Sequence, residues 1–237
     1  TPDSVITVTG KVMENDYVKM GGVEMIPESI EIESIAEALP IVRKEIAATK
    51  KKKAVERSSI DQRIDYRWID LRTDENQLMF KAQSCFVNAM RKFLLDRNFI
   101  EIHTPKLIAA ASESGSEVFK VDYFDRNAYL AQSPQFYKQM AMAAGFERIF
   151  ETGPVFRAEK SYTNKHSTEF SGFDLEFSYI TSYKDVMKME EELLTAGLQA
   201  VKDNYGDQIK EVFGQEVIVP TTPFPVVKLA DLYKGLE

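Results

Sequence analysis

The chain has 237 residues, 44% of them hydrophobic and 28% charged, with a formal net charge of −7, two histidines and one cysteine. That length suits one large domain or one domain with an appendage, and the apolar content is enough for a sizeable core. An internal disulfide, a zinc site made of His and Cys alone, and an apolar run of about eighteen residues able to span a membrane are all excluded.

Residues 5–12 and 17–33 alternate apolar and polar positions around Gly21-Gly22 and Pro27, which predicts short strands of a small β module, too few to close a barrel. From 43 to 63 the apolar content falls and charge rises, marking a linker that includes Lys50-Lys51-Lys52-Lys53. Such a run reads either as a solvated linker or as a contact for a phosphate backbone, against an overall acidic charge that disfavours wrapping nucleic acid with the whole surface. The single Cys85 fits a reducing compartment, and the start at Thr1 suggests a trimmed chain without a signal peptide.

Residues 74–97 predict a helix, with Met79, Phe86, Met90, Phe93 and Leu94 at helical spacing and Asn98 as its stop. A short strand at 99–103 should follow, ended by Pro105. Ser133-Pro134 opens a second helix, with a hydroxyl at the cap and proline in the first turn, and Gly145 closes it. Gln135 and Lys138, three apart, share a face of that helix. Residues 148–157 and 168–179 read as strands joined by 158–167, an antiparallel hairpin whose loop is longer than usual, a mark of function.

Alternation along the second strand places Phe170, Asp174 and Glu176 on one face and Glu169, Phe173, Leu175 and Phe177 on the other. An aromatic ring and two carboxylates in a row, beside Arg157, suit a nucleotide and an ammonium group; the plain alternative is a solvated sheet face. Residues 182–185 form a capping-box pattern, and the helix they start carries Val186, Met189, Leu193, Leu194 and Val201 as far as Gly206.

Three segments carry a family resemblance. The long helix followed by Phe99-Ile100-Glu101-Ile102-His103-Thr104-Pro105-Lys106 is similar to motif 1 of class II aminoacyl-tRNA synthetases, and the hairpin with Phe156-Arg157-Ala158-Glu159 and Thr168-Glu169-Phe170 is similar to their motif 2. Tyr129-Leu130-Ala131-Gln132-Ser133-Pro134-Gln135-Phe136-Tyr137-Lys138 resembles the amino-acid recognition segment of the aspartyl type. Together with residues 112–116 and 65–73, the likeness covers most of residues 60–180 and points to the subgroup that charges aspartate, asparagine and lysine, in its eukaryotic and archaeal form. Neither a Gly-rich dinucleotide fingerprint nor a Walker loop is present.

The resemblance implies an α+β fold, the antiparallel class II sheet flanked by helices, preceded by the last strands of an oligonucleotide-binding β-barrel. The implied boundaries are 1–42 for the barrel remnant, 43–72 for a basic hinge and 73–237 for the first part of the catalytic domain. It also implies ATP-dependent activation of L-aspartate to aspartyl-adenylate and transfer to the 3′ end of tRNA(Asp), in the cytoplasm, by a homodimer joined through residues 74–105, with ATP and Mg²⁺ required. The nucleophile of that reaction is already a carboxylate, so no general base is expected; catalysis rests on positioning and charge cancellation.

Carried over by resemblance, Arg157 bridges the carboxylate and the α-phosphate, Phe170 stacks on adenine, and Glu159 fixes the adenosine or the acceptor end. Lys165, His166 and Ser167 meet the outer phosphates, although the family usually has Arg where Lys165 stands, and Lys lacks the bidentate fork. Lys138 faces the substrate β-carboxylate; Ser112, Glu113, Gln135 and Asp174 hold the α-ammonium. Read without the resemblance, Lys138 is a solvated helix lysine, Phe170 a core residue, His166 a loop residue and Arg157 the ion-pair partner of an acid such as Glu151.

The family's motif 3 and its Mg²⁺ ligands fall beyond Glu237, so the expected metal set within this chain is none, and the 237 residues alone are expected to be an inactive part of the enzyme. Rival readings are an asparaginyl enzyme, a tRNA-independent synthetase-like ligase, and a non-catalytic synthetase-like binding protein.

Overall fold

The alternation at the start of the chain produces two strands, β1 (Val5–Glu14) and β2 (Val23–Ser34), paired antiparallel from Val5↔Ser34 to Glu14↔Val23. The structure is a computed structural model and describes residues 1–18, 21–44, 56–112, 117–160, 163 and 165–234. It divides into two units, Thr1–Gln77 and Leu78–Glu237.

In the first unit, two short helices follow the strands: α1 (Ile60–Asp65), capped by the Ser59 hydroxyl, and α2 (Arg67–Asp70). The stretch read from sequence as linker therefore ends in helix, while the lysine tetrad lies outside the described residues. Asp70 is fully buried and gathers the guanidiniums of Arg57, Arg63 and Arg67 at 3.6, 3.4 and 2.5 Å, together with the Asn76 amide at 3.0 Å. A carboxylate removed from water needs this compensation, and here it fixes the turn between α2 and the next helix.

That helix, α3 (Asp74–Leu95), ends with Asn98 at φ 62°, the left-handed conformation expected of a C-terminal stop, and the Phe99 N–H reaches back to Leu94 O. Met90 and Leu94 are buried as the period predicts. Met79 is not: it is 48% exposed and Leu78 is buried instead. The core cluster draws on α3 only from Phe86 onward, so a period counted over the whole helix misplaces its first turns.

After α3 come β3 (Ile100–Glu101), β4 (Leu107–Ile108), β5 (Lys120–Tyr123) and β6 (Arg126–Leu130), then α4 (Gln135–Ala143). β4, β5 and β6 make a small antiparallel sheet in the order β4-β6-β5, which the sequence reading left out. β7 (Arg148–Phe156) and β8 (Glu169–Phe177) form the expected hairpin, and β3 joins it parallel along β7. The last long helix, α5 (Tyr183–Phe213), starts with the predicted capping box of Ser182 and Asp185. It does not stop at Gly206, because one glycine costs a helix only about 1 kcal/mol; it ends at Gly214, whose φ of 67° turns the chain out of the helix. A final short helix, α6 (Leu229–Lys234), follows.

The core of the second unit lies between one face of the β7–β8 ribbon and the helices α3 and α5. Met90, Leu94, Phe99, Phe150 and Leu193 are buried there, with Phe173, Leu175 and Phe177 packed against them. α3 and α5 approach closely at Gly197, where a Cβ would fall 2.6 Å from the Phe86 ring. Among the described residues no helix is long and apolar enough to cross a membrane.

Candidate active site

The register of the ribbon decides what the other face carries. Val155↔Phe170, Gly153↔Gly172, Glu151↔Asp174 and Ile149↔Glu176 are direct partners, so Glu151, Gly153, Val155 and Arg157 line up beside Phe170, Gly172, Asp174 and Glu176. With Phe173, Leu175 and Phe177 committed to the core, this polar face is left for α4 and the segment around Lys106 to cover. A cavity of about 90 Å³ remains over it, bounded by Lys106, Gln132, Glu151, Arg157, Phe170 and Asp174 among others.

Lys138, on α4, puts its ammonium 2.8 Å from Asp174 Oδ1 and 3.3 Å from Glu176 Oε2, with only 15% of its side chain exposed. Burial works against its charge, but the two carboxylates outweigh burial and hold the pKa above the ordinary lysine value. Lys138 is therefore a cation fixed between two carboxylates, not a solvated helix lysine, and its partner Asp174 borders the cavity. Gln135 is half-buried one helical step away, its N–H donated to Ser133 Oγ at 3.2 Å. Pro134 occupies the cap of α4 and not its first turn, a shift of one residue from the sequence reading that keeps Gln135 and Lys138 on one face.

Arg157 leaves the end of β7 with its backbone N–H donated to Thr168 O at 2.9 Å, which closes the hairpin. Its guanidinium carbon sits 5.6 Å from the centre of the Phe170 ring, a cation–π distance. Its Nε is buried and makes no hydrogen bond among the described residues. The structural alternative for this side chain, an ion pair with Glu151, does not occur. Glu151 accepts instead from Thr104 N at 2.9 Å, Thr104 Oγ1 at 2.7 Å and Lys106 Nζ at 2.9 Å. Burial tends to raise the Glu151 pKa, but the Thr104 and Lys106 donors prevail and hold the carboxyl below its usual range.

Ser112 reaches the site through its backbone N–H, donated to the Oε1 of the fully buried Gln132 at 3.2 Å, while its Oγ is buried without a partner among the described residues. Glu113 lies outside the described residues. Glu159 is half-buried just past Arg157. Lys165, His166 and Ser167 are exposed, with Lys165 N and the His166 ring bonded to Thr163 Oγ1, and none of them borders the cavity. Arg157, Phe170 and Asp174 thus border one cavity, Lys138 joins them through Asp174, Ser112 through Gln132 and Gln135 through Ser133, while the loop residues stand apart.

Lys106, Gln132 and the lining role of Glu151 escaped the sequence reading. Alternation backward from Arg157 reaches Glu151, but only tertiary contact brings in the other two. No group of three His, Cys, Asp or Glu side chains among the described residues could hold a metal ion.

A family model described as class II tRNA synthetases (D, K and N) matches residues 59–236. The chain belongs to this family. Among curated relatives of this synthetase chain, the aspartate–tRNA(Asp/Asn) ligase of Methanopyrus kandleri is 46% identical over 225 residues, 94% of this chain and 50% of the relative. The aspartate–tRNA(Asp) ligase of Picrophilus torridus is 44% identical, over 88% of this chain and 47% of its own length. The fold is similar to that of asparaginyl-tRNA synthetase from Pyrococcus horikoshii in complex with asparaginyl-adenylate, with a TM-score of 0.81, 30% identity, and coverage of 98% of this chain and 51% of that one. It is also similar to the aspartyl-tRNA synthetase of Entamoeba histolytica, with a TM-score of 0.75, 32% identity, and coverage of 98% and 48%. The synthetase chain spans about half the length of the curated relatives it matches.

Proposed function

We propose that this chain supplies one part of an aspartate–tRNA ligase, which joins L-aspartate to ATP as aspartyl-adenylate and passes it to the 3′ end of tRNA(Asp). The observation that carries the reading is Lys138, a largely covered cation paired with Asp174, which borders the same cavity as Arg157 and Phe170. Aspartate and asparagine are nearly isosteric, so selection by shape is weak. A fixed ammonium separates them, because only aspartate brings a second carboxylate for its charge to attract.

In the step proposed, an α-carboxylate oxygen of aspartate attacks the α-phosphorus of ATP, the bond to the β-phosphate oxygen breaks, and pyrophosphate leaves. The nucleophile arrives ionised, so no side chain has to take a proton. The Arg157 guanidinium, with a buried N–H uncommitted among the described residues, bridges the attacking carboxylate and an α-phosphate oxygen and offsets the charge that builds there. Phe170 gives adenine a stacking face, Asp174 with Ser112, Glu113 and Gln135 receives the α-ammonium, and Glu159, Lys165, His166 and Ser167 attend to the remainder of the nucleotide. Residues 1–42 belong to the anticodon-reading barrel, 43–72 to the hinge and 73–237 to the catalytic domain. Two copies associate through 74–105, and the enzyme works in the cytoplasm with Mg²⁺ bound elsewhere.

The direct test is Lys138→Ala in the full-length enzyme. Aspartate-dependent ATP–pyrophosphate exchange should fall at least a hundredfold while ATP binding stays measurable. Unchanged exchange with aspartate, or robust exchange with asparagine by the unmodified enzyme, would remove the assignment.

A further inference from the structure

Glu151 and Asp174 are direct cross-strand partners on the cavity face. Side chains so placed have Cβ atoms about 4.5–5.5 Å apart, and like charges directly opposite repel. Two anions are tolerated there because each has its own lysine: Lys106 Nζ lies 2.9 Å from Glu151 Oε1, and Lys138 Nζ lies 2.8 Å from Asp174 Oδ1 and 3.3 Å from Glu176 Oε2. Among the described side chains of this face, Lys106, Lys138 and Arg157 stand against Glu151, Asp174 and Glu176, and their charges balance.

Lys106 is not needed to satisfy Glu151 geometrically. The Thr104 N–H and hydroxyl already supply a donor to each carboxylate oxygen. Nor is the lysine sealed into the core, for 23% of its side chain is exposed and it borders the cavity. The space beside its ammonium is open because position 153 has no side chain: a Cβ there would lie 3.6 Å from Lys106 Nζ.

We infer that Lys106 is a specificity-determining residue, whose ammonium cancels the Glu151 carboxylate so that the cavity admits an amino acid of net negative charge. The inference rests on the reading of this cavity as the aspartate site. Aspartate enters with two carboxylates and one ammonium, asparagine as a neutral zwitterion. Without Lys106 the site carries one excess negative charge, which opposes aspartate far more than asparagine. Lys106 thus adds to the discrimination made at Lys138 without touching the β-carboxylate. One uncompensated unit charge, taken at about 7–8 Å from the ligand charge and at an effective dielectric constant near 20, amounts to roughly a thirty- to fiftyfold loss of affinity.

The test uses ATP–pyrophosphate exchange by the full-length enzyme, with asparagine as competitor, for the unmodified protein, Lys106→Met, Glu151→Gln and the double variant. The readout is the ratio of the aspartate KM to the asparagine inhibition constant, which a general loosening of the fold moves little. Lys106→Met should raise that ratio at least tenfold, Glu151→Gln should lower it, and the double variant should return to within about threefold of the starting value. An unchanged ratio in Lys106→Met, or a double variant no better than Lys106→Met, overturns the inference. Should Lys106→Met fail to fold, the step from Glu151→Gln to the double variant carries the same comparison and must raise the ratio by a similar factor. Failure of the unmodified enzyme to use aspartate would instead defeat the functional reading itself.

Discussion

Asp70 shows how much one side chain can organise. Burial tends to raise its pKa, and the Arg63 and Arg67 guanidiniums with the Asn76 amide more than offset this, leaving it below the usual carboxylate range. A carboxylate with a depressed folded-state pKa adds stability that is fully present above its unfolded value, near 4, and is lost as pH falls through the folded value. Asp70→Ala leaves three cations gathered around nothing. The cost should be about 2–3 kcal/mol, below the 3–5 typical of a fully buried pair because the guanidiniums are 19–40% exposed. Urea unfolding followed in the first unit at pH 7 and at pH 3 checks both statements: the variant's deficit should be full at pH 7 and smaller at pH 3. Lys138 has the opposite sign, since its raised pKa means a contribution present at neutral pH and lost only as pH rises beyond the ordinary lysine range.

Two glycines in α5 separate helix propensity from packing. At Gly197 a methyl group would meet Phe86 ring carbons at 2.6 and 2.8 Å and Met90 Cγ at 3.1 Å. At Gly206 the nearest neighbour is Lys202 Cγ at 3.7 Å, an ordinary contact. Alanine gains about 1 kcal/mol over glycine in a helix, whereas overpacking a close helix crossing costs about 1–3 kcal/mol. Gly206→Ala should therefore stabilise by about 0.5–1 kcal/mol and Gly197→Ala should destabilise by about 1–2 kcal/mol, both readable as shifts of the thermal midpoint. Equal gains at both positions would show that α3 and α5 are not in the contact described.

At the scale of the whole molecule, a site on one face of a two-stranded ribbon can bind and orient, but the curated relatives are about twice as long as the stretch they share with this chain. The 237 residues alone should give no aspartate-dependent ATP–pyrophosphate exchange above background. The full-length enzyme should be active and sediment at twice its chain mass. Exchange by the 237-residue chain at rates near those of the full-length enzyme would mean that the face described here suffices for the chemistry.

The local elements were legible because their signals are local. The capping box at Ser182, the left-handed stop at Asn98 and the two-residue alternation from Phe170 to Phe177 each depend on neighbours a few positions away. Alternation also sorted the ribbon into a core face and a polar face, which is most of what places Arg157, Phe170 and Asp174 together. Errors arose where the deciding partner was distant. Met79 fits the helical period yet faces solvent, and α5 runs through Gly206 because nothing there opposes it. The small β4-β6-β5 sheet has strands too short to show a period.

The sequence by itself determined the family motifs, the hairpin and the residue types of the site. Only the tertiary structure decided which charge faces which. Lys106 reaches a carboxylate 45 positions away and Lys138 one that is 36 away, and pairings over such distances are set by strand register and helix docking, which no short window of sequence contains.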